Sequence, residues 1–257
     1  MRLTTRPTGA DHMDTMVEDT RNPGAAGVRV DSAGQGPRRR FYVWMATAVV
    51  VAVALGFGRS IARRLAGSGA LSLPVLLHAL LFLGWVLIFL VQVGLIARGR
   101  IRVHRRLGAM AAALGAAMLV TAPPLATAAA ARGSLPGDPL AFLLVMMMDL
   151  VFFGFFVAAG VYSRRRAETH KRFMLLATLS LLPPAVSRWP IADVHPALVT
   201  VPMLVLLAAA PLDDLRRHCR PHPVSLWGGI AYLVSIPVRF AVAATPAWHH
   251  FARWLIR

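Results

Sequence analysis

The stretch Arg98-Gly-Arg-Ile-Arg-Val-His-Arg-Arg-Leu-Gly108 lies between two long apolar runs and sets five arginines (Arg98, Arg100, Arg102, Arg105, Arg106) around one histidine, His104. The pattern returns twice. Apolar runs also flank Arg164-Arg-Arg-Ala-Glu-Thr-His-Lys-Arg-Phe173 and Arg216-Arg-His-Cys-Arg-Pro-His-Pro-Val-Ser-Leu226. In each copy an arginine precedes a histidine by six positions, 98 to 104, 164 to 170 and 216 to 222, and a new apolar run follows. The stretch reads as one unit used three times: a helix arriving, a basic collar with its histidine, a helix leaving. Pseudo-repeated helical hairpins of this kind predict an all-α, polytopic transmembrane bundle.

Composition agrees. The 257 residues are 57% hydrophobic, and the charges cluster between contiguous apolar runs instead of spreading as in a soluble domain. A net charge of +17 in a soluble chain would suggest nucleic acid. Here the arginines sit between apolar runs, so they read as cytoplasmic loops in contact with anionic lipid head groups. Nucleic acid is excluded as a partner, because no basic stripe lies on a polar fold. The single cysteine, Cys219, excludes an internal disulfide, Cys-based zinc and iron–sulfur sites, and covalent C-x-x-C-H haem attachment.

Residues 1–37 are polar and without apolar period, which predicts a disordered cytoplasmic tail. Arg38, Arg39 and Arg40 then precede an apolar run with no A-x-A site after it, which predicts an uncleaved anchor. The apolar runs are 41–58, 73–97, 109–131, 140–162, 173–187, 197–212 and 226–243. About 20 helical residues cross a hydrocarbon core of ~30 Å. The fifth and sixth runs are short by that measure: tilt-free helices with snorkelling flanks, or a re-entrant pair. Six or seven spans are expected, forming one transmembrane domain over 38–244. Residues 245–257 put Trp248, Phe251 and Leu255 on one face, which predicts a helix lying in the interface.

Ionisable groups inside apolar runs are functional candidates, because burying them costs several kcal/mol. Asp149 is central in the fourth run, and Arg239 lies in the outer half of the seventh. His78, Arg188, His195 and Arg239 fall near one face; Gln92, His104, His170 and His222 fall near the other. Two histidine layers in a bundle suggest a haem b held without cysteine, with His104 and His170 at one depth and His78 and His195 at the other. The plainer reading of His104, His170 and His222 is a bond to a backbone carbonyl, a lipid phosphate or water. For Asp149 the plainer reading is a salt bridge to Arg239, within a charge network that includes Arg188 and Gln92. Met146, Met147 and Met148 read as packing filler. Asp213 and Asp214 read as partners of Arg216 and Arg217. No nucleophile motif, phosphate loop or H-E-x-x-H occurs.

His78, Trp85 and Gln92, followed by His104-Arg-Arg-Leu-Gly108, Glu168-Thr-His-Lys-Arg-Phe-Met174 and Leu226-Trp-Gly-Gly229, resemble a group of bacterial polytopic membrane proteins. The likeness covers roughly residues 73–245 and implies a bundle but no activity. A looser similarity, to cytochrome b561 and ferric-reductase bundles, rests on histidines at helix ends and implies haem. The functional expectation is a bacterial inner-membrane protein that binds haem or does redox chemistry through His78, His104, His170 and His195, working with a membrane redox partner or as a homo-oligomer. The alternative is a cofactor-free scaffold or small transporter built on Asp149, Arg188 and Arg239.

The positive-inside rule puts the three collars and the N-terminus on the cytoplasmic side. Single cysteines at positions 101, 167 and 221, in a Cys219→Ser background, should all react with an impermeant thiol reagent only after the membrane is opened. Labelling of any one of them from outside intact cells would overturn this orientation.

Overall fold

Three helix starts in this chain are marked by proline behind a side chain that caps the first turn, because a first-turn residue needs no N–H partner. Asp138 caps Pro139, and its Oδ1 accepts from the Leu140 and Ala141 amides at 2.9 and 3.3 Å. Thr245 caps Pro246 and accepts from the Trp248 amide. His222 caps Pro223, its Nδ1 accepting from the Val224 amide at 3.2 Å.

A computed structural model gives the resulting architecture for residues 32–65, 67, 72–191 and 195–257. The chain divides into two units, Met1–Gly36 and Pro37–Arg257, and the second carries the bundle. The tail assigned to 1–37 lies almost wholly outside the described residues. The elements are α1 (Ser32–Leu65), α2 (Leu73–Ala97), α3 (Ile101–Ala131), α4 (Pro139–Tyr162), α5 (Ala167–Ser180) and the single turn α6 (Pro183–Val186). A 3-10 turn (Pro196–Val199) then leads into α7 (Thr200–His218), α8 (Pro223–Ala243) and α9 (Pro246–Leu255). The described residues contain no strand.

Among the described residues, five segments are long and apolar enough to cross a membrane: Arg40–Ala62, Leu73–Ala97, Ile101–Ala131, Pro139–Tyr162 and Pro223–Ala243. The sequence led us to expect six or seven. The two that fall short are α5 and α7. Helix α5 has 14 residues, ~21 Å at 1.5 Å per residue, and gives way at Leu181 before Pro183 and Pro184. Helix α7 has 19 residues, but its last turn and a half carries Asp213, Asp214, Arg216, Arg217 and His218. The first collar also differs from the expected loop. Helix α3 begins at Ile101, eight residues before the apolar run, and only Arg98, Gly99 and Arg100 connect it to α2. Gly99 takes φ 71°, which favours glycine there.

Apolar stripes at helical spacing stay exposed, as helices facing lipid require. Leu76, Leu80, Leu83, Leu87 and Val91 run down α2, and Trp227, Ile230, Val234 and Val238 down α8. The opposite faces form one core around Trp85, Met118, Phe153, Phe156, Leu179 and Tyr232. All three collars gather at one end of this core. His104 meets His170 across α3 and α5, and Arg172 pairs with Asp214 across α5 and α7. At the other end, α9 docks on the start of α4: Trp248 Nε1 donates to the Leu140 carbonyl at 2.7 Å, and His249 lies 3.2 Å from Asp138.

Helix α1 is held against the turn after α5 by a close backbone approach. A Cβ on Gly56 would stand 2.1 Å from the Ala185 carbonyl oxygen. Trp189 Nε1 donates to the Ala52 carbonyl at 3.0 Å, and the Arg188 guanidinium lies 4.8 Å over the Phe57 ring. Gly58, two residues on and so on the opposite, exposed face of α1, is a position where a Cβ would meet nothing within 4 Å. Gly56→Leu should therefore push α1 off this turn and lower stability by about 1–3 kcal/mol. Gly58→Leu should leave it nearly unchanged. Thermal unfolding of the detergent-solubilised protein checks the pair; equal effects at 56 and 58 would show that α1 does not dock through Gly56.

Candidate functional site

The bundle holds three polar clusters between its helices, two of them buried and one half-buried. The first lies mid-bundle. Asp149 on α4 and Arg239 on α8 are 7% and 3% exposed, and Arg239 Nη1 donates to Asp149 Oδ1 at 2.5 Å. The Tyr232 hydroxyl donates to the same oxygen at 2.8 Å. Arg239 uses its remaining nitrogens on its own helix and on α4: Nη2 to Ser235 Oγ at 2.6 Å, Nε to the Ser235 carbonyl at 3.3 Å, Nη1 to the Val145 carbonyl at 3.4 Å. Aromatic faces close the cluster, with the guanidinium 5.3 Å from the Tyr232 ring centre and 5.8 Å from that of Phe152.

The charge network expected from sequence is thus divided. Asp149 and Arg239 meet. Arg188 is exposed, donates to the Pro184 carbonyl and lies over Phe57. Gln92 lies beside α3 at the collar end. Tyr232 and Ser235 escaped the sequence reading, although they sit seven and four residues before Arg239, on the same helical face.

The second cluster is at the collar end and contains His104, His170 and Gln92. His104 and His170 occupy the same position in two helices. Each is the fourth residue, after an arginine at the cap (Arg100, Arg166), and its amide bonds to that arginine's carbonyl, at 3.1 and 2.9 Å. Their rings lie 6.3 Å apart between centres, at 85°. His170 Nδ1 is 2.8 Å from the Gly160 carbonyl of α4. A carbonyl only accepts, so Nδ1 carries the proton and Nε2 the lone pair. His104 Nδ1 and Gln92 Oε1 are buried without a hydrogen-bond partner. The third collar histidine, His222, is the cap of α8 and serves the backbone. Of the outer pair, His78 is half-buried on α2 with Nδ1 also unpartnered, and His195 is exposed ahead of the 3-10 turn, its carbonyl accepting from the Leu198 amide.

Beside the histidines, a salt-bridge knot closes the collar end. Asp214 takes Arg172 Nη2 on Oδ1. Its Oδ2 takes Arg172 Nε at 3.1 Å, the His222 amide at 3.2 Å and the Ser225 hydroxyl at 3.3 Å. Arg172 Nη1 bonds Glu168 at 2.7 Å. Burial works against both carboxylates, but the bonds from Arg172 outweigh it: Asp214 is held below its usual range and Glu168 at about 2. Burial and then Arg172 push His222 down, towards its neutral, cap-forming state. The partner expected for Asp214 on its own helix is replaced by one across helices. Asp213 does pair locally, with Arg217 at 2.8 Å.

No protein family, no curated protein and no solved structure matches the chain.

The Asp149 cluster generates a stability prediction. Removing the carboxylate strands a buried guanidinium, so Asp149→Ala should cost about 3–5 kcal/mol. Tyr232→Phe removes one bond and should cost about 1 kcal/mol. Asp149→Asn, which keeps an acceptor, should fall between them. Thermal denaturation in detergent measures all three. An Asp149→Ala protein as stable as the parent would mean that the pair is not formed.

Proposed function

We propose that the protein is an integral protein of the bacterial inner membrane that holds a b-type haem between His104 and His170 and passes electrons. The observation that supports this reading is the approach of two imidazoles from different helices, 6.3 Å apart between centres and nearly perpendicular. His104 and His170, brought together from different helices, are the residues that would hold the iron of such a group. The donor set suits the group: two histidines hold the iron, and cysteine is not needed. Among the described residues, no three or more His, Cys, Asp or Glu gather as a zinc site would require. The unpartnered His104 Nδ1 belongs to the same pair.

When bound, the haem supplies one-electron redox chemistry. The chain's own part is to hold and shield it. His170 gives its Nδ1 proton to the Gly160 carbonyl, which fixes the ring and leaves Nε2 as the ligand atom. Arg102, Arg105 and Arg106, exposed around His104, offset the carboxylates that a haem brings to the membrane surface. The arginine-rich end faces the cytoplasm and its anionic lipid head groups. In the same scheme His78, with its buried unpartnered Nδ1, and His195 would hold a second, outer group. Electron exchange calls for a membrane redox partner or a second copy of the chain.

A second reading, a cofactor-free scaffold or small transporter, draws on the Asp149–Arg239 cluster. Its closed hydrogen bonding favours a scaffold over a transport site, because Arg239 presents no nitrogen without an acceptor. A reduced-minus-oxidised visible spectrum of the purified protein separates the two readings. The haem reading expects a sharp band on reduction that disappears in His104→Ala and in His170→Ala. No band, or a band that survives both substitutions, refutes it.

A further inference from the structure

Helix α9 turns three different sectors outward, at about 100° of rotation per residue. Trp248, His249 and Ala252 face the bundle. The Trp248 indole donates to the Leu140 carbonyl, His249 meets Asp138, and Ala252 is fully buried. Phe251, Trp254 and Leu255 make a second sector, 48%, 64% and 39% exposed, with the Phe251 and Trp254 rings 5.7 Å apart between centres. His250 and Arg253 make a third, polar and exposed. The sequence groups Trp248 with Phe251 and Leu255; the structure turns Trp248 to the bundle and puts Trp254 in its place.

Two span ends fix the height of this helix. It starts three residues after Ala243, the last residue of α8, and docks beside the first turn of α4. Both α8 and α4 are long and apolar enough to cross a membrane, so α9 lies where hydrocarbon meets water, the level that tryptophan favours. Charge agrees with this. No acidic residue follows Asp214 in the chain. Arg253 spends Nε on the His249 carbonyl, and among the described residues no carboxylate pairs with it.

We propose that α9 is a phospholipid-binding arm: Phe251, Trp254 and Leu255 enter the acyl region of the leaflet at the end away from the collars, and Arg253 takes a lipid phosphate. Phospholipid is the occupant because one short helix sets an apolar sector beside an arginine whose fork matches phosphate. The inference needs the membrane but not the haem. Asp138 caps α4 with one carboxylate oxygen and meets His249 with the other, so a leaflet that holds α9 also holds the start of α4.

The test uses the full-length Cys219→Ser protein in vesicles of phosphatidylethanolamine and phosphatidylglycerol. An environment-sensitive fluorophore is attached at His250→Cys, Arg253→Cys, Trp254→Cys or Leu255→Cys, one at a time. All four side chains are exposed, so docking through Trp248 and His249 is kept. Labels at 254 and 255 should be quenched severalfold more by a nitroxide on the lipid acyl chain than by iodide on both sides of the vesicle. Labels at 250 and 253 should show the reverse. Iodide quenching of all four, or no difference between the pairs, overturns the proposal. Shielding of 254 and 255 from both quenchers also overturns it, because a second copy or another protein would then cover the sector. Should one label unseat the helix, the other position of its pair decides alone. Arg253→Glu should expose the label at 254 to iodide, and Arg253→Lys should not. A label unmoved by Arg253→Glu overturns the phosphate contact.

Discussion

A carboxylate and a guanidinium cannot be left alone in hydrocarbon, and this brings Asp149 on α4 to Arg239 on α8. Lipid gives helices no hydrophobic reason to associate, so packing and polar links determine which faces meet. The pair fixes both the facing and the height of α8 against α4. Tyr232 extends the constraint: it bonds Asp149, stacks edge-on against Phe152 at 5.2 Å, and reaches the Ser180 carbonyl at the end of α5 at 3.5 Å. One buried oxygen and its two donors therefore tie α4 to α8, with the end of α5 packed against the Tyr232 hydroxyl. The apolar core around Phe153 and Phe156 fills in behind them.

Much of this was legible from residue order, and the failures have physical causes. The apolar runs marked α2, α4 and α8 closely, because a span must be continuous and uncharged. The third run was placed eight residues late, since a helix that leaves the hydrocarbon keeps its backbone bonds while its side chains become arginine. Runs five and six looked like spans because hydropathy averages over Pro183 and Pro184 and over a charged helix end. Asp149 with Arg239 could be read from rarity: few ionisable groups lie deep in the runs, and Arg239 is the arginine placed well inside one. Arg172 with Asp214 could not, because several nearer charges compete and only the fold decides among them.

The three collars look alike in sequence and are used differently. Spacing from arginine to histidine is six in all of them, but the helix start moves. In two copies an arginine is the cap, and the histidine points from the first turn towards its counterpart. In the third, the proline after His222 forces the start to the histidine itself, and the ring becomes a backbone acceptor. One proline thus separates a candidate ligand from a cap. Sequence spacing alone grouped all three; the position of the following proline distinguishes them.

Helices α5 and α7 form an excursion that starts and finishes at one end of the bundle, its mouth tied by Arg172 and Asp214. Whatever depth it reaches, α8 begins on the side where α4 ended. The orientation of every other helix is therefore independent of whether residues 167–218 have entered the bilayer. During synthesis, the insertion machinery can place α4 and α8 while this segment waits in water, and the segment can enter last, guided by the surfaces of helices already in place. The order of insertion need not follow the order of the chain.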